Sequence, residues 1–167
     1  MIASPTATQV DVIQSMLIEN PQFIEGDHWR RAHIPAGGAI ISQEEDDKSV
    51  YLLRSGWARV IGRMAIEGER SVAPGVCDLG PGELFGEVVL FGEERRTASV
   101  IAVTECDLWV FNGPRLMAFL EAHPEIGFKF LSLLMRSSIR RLRNTNKKVL
   151  SLFAWGLKAH QIEDQLN

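Results

Sequence analysis

Phe85-Gly86-Glu87-Val88-Val89-Leu90-Phe91-Gly92-Glu93-Glu94-Arg95-Arg96-Thr97-Ala98-Ser99-Val100 is the stretch on which the reading of this chain turns. A carboxylate preceded by glycine and followed by a short apolar turn leads to an arginine and a hydroxyl residue, which then enter a strand. If the turn is helical, its free backbone N–H groups favour an anion, and Arg96 can add a planar two-pronged hydrogen bond to phosphate oxygens. Thr97 offers a neutral donor. Glu87 repels a phosphate but, as a pure acceptor, suits sugar hydroxyls. Phosphate and ribose recognition side by side point to a nucleotide. Taken alone these are weak signals, because a Glu-Glu-Arg-Arg run is also what a solvated, salt-bridged surface looks like.

The segments around this stretch set its context. From His28 to Phe111 the chain alternates brief apolar runs with turn residues: Ala39–Ile41, Val50–Leu53, Trp57–Ile61, Val76–Leu79, Val100–Val103 and Asp107–Phe111. Many short strands at regular spacing predict an antiparallel sandwich or barrel, with Ala65–Gly75 as an exposed hairpin tip and Gly56 in a turn. Before it, Val10, Ile13, Met16 and Leu17 share one helical face, and Asn20-Pro21 ends that helix. After Asn112-Gly113-Pro114 the period becomes helical again, and Pro124 opens a longer helix at its first position. There a heptad runs through Phe128, Met135, Leu142 and Val149 at one seam position and Leu131, Ser138, Thr145 and Leu152 at the other. A second stripe, Ile126, Phe130, Leu133 and Leu134, accompanies only the first part, where it can dock on the chain's own barrel. A helix of roughly 30 residues is about 45 Å long, more than such a domain covers, so the exposed seam calls for a partner and a second copy is the simplest one. The alternative is that the last 15 residues fold back.

Composition narrows the classes. At 167 residues there is room for one core plus a helical extension: residues 1–27 as an N-terminal helical segment, 28–113 as a β-barrel core and 114–167 as C-terminal helices. A 46% hydrophobic share with 23% charged residues argues against disorder. A net charge of −3 nominates no nucleic acid or membrane partner. Cys77 and Cys106 read as buried free thiols. No window approaches a membrane span and the N-terminus lacks a signal-peptide pattern, so the expectation is a cytoplasmic protein. His28, His33, His123 and His160 form no His-x-His pair, and no nucleophile elbow or phosphate loop is found, so no metal site and no catalysis are expected.

The quoted stretch resembles the phosphate-binding cassette of the cyclic nucleotide-binding domain family, with Phe85-Gly86-Glu87 and Arg96-Thr97-Ala98 in the matching places. Ile34-Pro35-Ala36-Gly37-Gly38-Ala39-Ile40-Ile41, Tyr51 to Val60 and Leu79-Gly80-Pro81-Gly82-Glu83-Leu84-Phe85 are similar to the family's strands in type and spacing, and the likeness runs from about His33 to Val149. It implies a jelly-roll (double-stranded β-helix) barrel, mainly β within an α+β class, with a short N-terminal helix and a long C-terminal dimerisation helix. It also implies a ligand-binding set of Phe85, Gly86, Glu87, Val88, Val89, Arg96, Thr97 and Ala98. Within it Glu87 takes the ribose hydroxyl, and Arg96 takes the cyclic phosphate with help from Thr97.

The helix Arg141-Leu142-Arg143-Asn144-Thr145-Asn146-Lys147-Lys148-Val149 is similar to that of catabolite-activator regulators, which adds Arg141, Thr145 and Asn146 to the set. In that branch Thr145 and Asn146 would reach the adenine, the second from the partner subunit. Thr145 as a purely register-setting polar residue is the alternative. The implied ligand is cAMP, with cGMP left open, no cofactor is required, and the implied partners are a second copy and an unidentified effector protein. Those regulators continue into a DNA-binding domain, whereas the sequence ends at Asn167. No direct DNA binding is therefore expected, and Arg140, Arg141, Arg143, Lys147 and Lys148 read as a solvated helix face.

The chain departs from the family at two places. Val89 replaces a usually small residue beside the phosphate and either points away or reshapes the pocket. Glu44 replaces a usual glycine, in an acidic run, Glu44 to Asp47, expected to be a solvated loop. A family member that has lost its ligand and serves as a dimerisation module is the rival reading.

Overall fold

The computed structural model describes residues 8–43, 45–62, 64–66, 70–72, 75–92 and 95–159. Thr8 caps helix α1 (Gln9–Ile13): its hydroxyl accepts from the Asp11 N–H while the Asp11 carboxylate accepts from the Thr8 N–H, closing a capping box. A π-helical turn, Gln14–Ile18, continues it and buries Leu17.

Ten strands follow: β1 (Trp29–Ile34), β2 (Ala39–Ile41), β3 (Ser49–Ser55), β4 (Ala58–Ile61), β5 (Met64–Ile66), β6 (Arg70–Val72), β7 (Gly75–Leu79), β8 (Leu84–Phe85), β9 (Ser99–Ala102) and β10 (Cys106–Asn112). They form two antiparallel four-stranded sheets, in the orders β1-β10-β3-β8 and β2-β9-β4-β7, and a separate hairpin of β5 and β6. All six strand runs read from the sequence are present. The hairpin at Ala65–Gly75 is present too, although its tip lies outside the described residues.

Strands β3, β8 and β10 of the first sheet are buried on both faces, which is why they read as apolar runs. Side chains alternate with period two, so Val50 and Leu52 of β3 face the helices while Tyr51 and Leu53 face the other sheet. Strand β10 repeats this, with Trp109 and Phe111 toward the helices and Leu108 and Val110 inward. Both cysteines are free, Cys106 buried and Cys77 half-buried.

Helix α2 (Gly113–Ala122) starts where the Asn112 side chain accepts from the Arg115 N–H. Helix α3 (Pro124–Ala159) is 36 residues long, about 54 Å at the α-helical rise. Phe130 and Leu134 are buried in the helix-side core, with Ile126 and Leu133 packed against it. Phe128, Met135, Leu142, Val149 and Leu152 are exposed, as are Leu150, Phe153 and Trp155. The described turns through Gly156 thus continue outward and do not fold back on the barrel. Among the described residues no helix is long and apolar enough to cross a membrane.

Candidate functional site

Strand β8 delivers the chain to Gly86, whose φ of +74° turns it into a short 3₁₀ helix, Glu87–Phe91. Only glycine fits there. A Cβ would lie 2.9 Å from Arg96 Nη1 and 3.2 Å from the Ser49 carbonyl oxygen, on a backbone that side chains rarely adopt. The chain returns through Arg95–Ala98 into β9, and the Arg96 N–H donates to the Glu45 carbonyl.

Arg96 is 4% exposed. Its Nη1 donates to the Gly86 carbonyl at 2.9 Å, and its Nη2 donates to the Ser49 carbonyl at 2.6 Å and to Asp47 Oδ2 at 2.7 Å. Its Nε is buried without a hydrogen-bond partner. A buried donor in that condition costs free energy unless an acceptor reaches it.

Asp47 accepts three more hydrogen bonds: from the Ser49 N–H at 3.1 Å, the Ser49 hydroxyl at 2.8 Å and the Tyr51 hydroxyl at 2.8 Å. The Tyr51 ring stacks on Phe85 at 5.3 Å between centroids, which ties this cluster to the core. Burial, then the neighbouring Asp47, pushes the Tyr51 phenol up to about 12, so it stays a donor at neutral pH. Partial burial of Asp47 works to raise its carboxyl, but hydrogen bonds from Arg96, Ser49 and Tyr51 outweigh it and hold the group below the usual carboxylate range.

A folded-state value below the unfolded one gives stability that is present above about 3.8 and lost as pH falls through the folded value. The thermal midpoint of the wild type should therefore exceed that of Asp47→Asn at pH 6, and the gap should narrow as pH falls below about 3.8. A gap that does not change with pH would mean that the charge of Asp47 contributes nothing.

On the other wall, Arg141 of α3 donates to Glu87 Oε1 at 2.5 Å, with both side chains largely shielded. The residue just before Arg141, Arg140, donates to Glu83 Oε1 at 2.5 Å. The basic cluster is thus not one solvated face. Successive residues sit about 100° apart around a helix, and docking of Phe130 and Leu134 turns Arg140 and Arg141 toward carboxylates of the barrel.

Between the walls lies a cavity of about 140 Å³ lined by Gly86, Glu87, Val88, Val89, Arg95, Arg96, Thr97, Ala98 and Arg141, with Ile41, Val60 and Val100 at its base. The fold therefore brings together eight of the residues singled out in the sequence. Phe85 stands behind them in the core. Val89 is among the residues that line the cavity. Thr145, half-buried, lies one turn beyond Arg141 on the same helix face, while Asn146 is exposed; neither lines the cavity.

Three contributors were missed in the sequence: Asp47, Tyr51 and the Ser49 carbonyl. Asp47 corrects the reading of the acidic run as a solvated loop. Glu45 and Asp46 are exposed, but Asp47 turns inward, and Glu44 lies outside the described residues. A local signal existed, because an aspartate two residues before a serine can form an Asx turn. Its pairing with Arg96, 49 residues away, had none.

The cyclic nucleotide-binding domain family matches residues 31–123. A CRP-like cAMP-activated global transcriptional regulator of Mycobacterium tuberculosis is 30% identical over 118 residues, which cover 71% of this chain and 49% of that protein. The Thermus thermophilus catabolite activator protein structure is 27% identical at a TM-score of 0.56, covering 90% of this chain and 61% of that one. A cyclic nucleotide-binding domain from Methylobacillus flagellatus shares the fold at a TM-score of 0.67 and 18% identity, covering 90% and 76%. The chain spans about half the length of the curated relatives it matches.

Proposed function

The chain belongs to the cyclic nucleotide-binding domain family, and from that premise we propose that it is a non-enzymatic regulatory sensor of a cyclic nucleotide, cAMP before cGMP, acting as a dimer on a partner protein. The observation that carries this is Arg96. It is a buried guanidinium with an unpartnered Nε on a cavity whose other walls are the Gly86–Val89 turn and a carboxylate. A cyclic phosphate oxygen would satisfy that Nε and take its charge-assisted hydrogen bond. Thr97 and Ala98 would complete the phosphate side, and Glu87 would accept from the ribose hydroxyl.

A volume of about 140 Å³ is below the roughly 300–1,000 Å³ of small-molecule pockets. Entry of a nucleotide therefore requires α3 to give way at the Arg141–Glu87 pair. That couples ligand to helix: binding shifts α3 between two arrangements, by no more than the ligand's differential affinity for them. Thr145, one turn along from Arg141, and Asn146, the latter from the second copy, are the positions we assign to the base. In this reading residues 28–113 are the binding core, 1–27 brace it, and 114–167 carry the lid and the dimer seam. The exposed apolar stripe Phe128, Met135, Leu142 and Val149 supports the seam.

Calorimetric titration with cAMP and with cGMP tests the proposal. Saturable binding of either is expected, and the absence of heat and of thermal shift at millimolar concentrations of both would leave the ligand-free dimerisation module as the better account.

A further inference from the structure

Resting on the reading of Arg96 as the group that meets the phosphate, we propose that Asp47 is a resident counter-ion that competes with the ligand's phosphate for Arg96 and so sets the affinity of the site. The geometry separates two roles that an aspartate beside an arginine can play. If Asp47 aimed the guanidinium, its loss would weaken binding; if it neutralises the guanidinium, its loss would strengthen binding.

Aiming is already done by others. The Gly86 carbonyl holds Nη1 at 2.9 Å and the Ser49 carbonyl holds Nη2 at 2.6 Å, so two nitrogens are anchored to two separate main-chain groups. What Asp47 alone adds, at 2.7 Å from Nη2, is a negative charge. The Arg96 side chain is 3% exposed and that of Asp47 38%, so water screens the pair from one side only and part of the charge's effect remains. Nor can the carboxylate swing aside without cost, since two hydrogen bonds from Ser49 and one from Tyr51 tether it. A cyclic phosphate reaching the free Nε therefore meets an arginine already neutralised and a second anion held a few ångströms away. Repulsion between unit charges at such separations, in surroundings drier than bulk water, amounts to about a tenfold change in affinity or more.

The test uses the full chain and its Asp47→Asn variant, in which the amide oxygen can still accept from Nη2 and the Tyr51 hydroxyl, while the charge and the acceptor facing Ser49 are lost. Each is titrated with cAMP and cGMP and, separately, melted in rising inorganic phosphate. Asp47→Asn is expected to bind the nucleotide about tenfold more tightly while its ligand-free thermal midpoint falls, opposite signs that a merely structural role does not produce. Phosphate is expected to raise the variant's midpoint more than the wild type's, and Arg96→Gln combined with Asp47→Asn to lose both gains.

Unchanged or weaker nucleotide binding by Asp47→Asn, with the wild type binding, overturns the proposal and leaves the site reading intact. No nucleotide binding by either protein, with phosphate selectively stabilising the variant, retires the nucleotide reading and upholds Asp47 as the anion that keeps others from Arg96. Indifference of both ligands to the substitution overturns the proposal as well.

Discussion

Arg96→Gln is expected to lower cyclic nucleotide affinity by about two orders of magnitude or more, the scale on which truncating one partner of a buried charge-assisted hydrogen bond acts. The effect on the fold needs a separate control. Arg96→Glu, the charge reversal that the cassette alone suggests, would set a second carboxylate against Asp47 in a site where the wild-type side chain is almost wholly buried. That variant is expected to destabilise the fold, since like charges in a poorly hydrated pocket have no favourable arrangement. The informative protein is Arg96→Gln combined with Asp47→Asn, which removes both charges at once. It should melt near the wild type and still fail to bind. Wild-type affinity in this double variant would show that the phosphate does not lie on Arg96 and would move the ligand out of the 140 Å³ cavity.

Leu142→Glu is expected to turn a dimer into a monomer at micromolar concentration. Leu142 is 60% exposed in the single chain and sits mid-stripe between Met135 and Val149. In a two-stranded seam the substitution would bury one carboxylate opposite its copy, and neither would have a partner. Light scattering measures it directly. Arg136→Glu, on the flank of the same helix, should leave the dimer intact, and so distinguishes loss of the seam from a general change in helix charge. Truncation after Arg143 should also yield a monomer that keeps its barrel, because the buried anchors Phe130 and Leu134 and the pairs Arg140–Glu83 and Arg141–Glu87 all precede the cut. A Leu142→Glu chain that still scatters as a dimer would place the interface elsewhere.

Much of the architecture was legible beforehand, for reasons that differ between elements. Strand β2 is present with the boundaries read from its apolar run, and β3 and β10 were found because burial on both faces leaves an uninterrupted hydrophobic signature. Strand β1 was not among the runs read from the sequence. Its pattern of Trp29 buried and Arg30 and Arg31 exposed lacks a clean alternation, and the strand is held by pairing with β10. Strand β8 is two residues long, below the length at which periodicity means anything. In the cassette, Gly86, Glu87, Val89, Arg96, Thr97 and Ala98 were legible because they are near in sequence and their spacing is the signal.

By itself, then, the sequence determined the alternation that makes two packed sheets, the long amphipathic α3 and the identity of the cassette, all of which depend on residues within a few turns of one another. Only the tertiary structure decided what Arg96 touches. Pairing of β3 with β8, through Tyr51 opposite Phe85, brings the Asp47 loop against the cassette across 49 residues of chain. It likewise decided that Arg141, and not another cation of its cluster, closes on Glu87, because docking of Phe130 and Leu134 sets which face of α3 meets the barrel. Local pattern specifies elements because their periods are short. Partners across the fold follow from how those elements pack, and a one-dimensional period does not carry that.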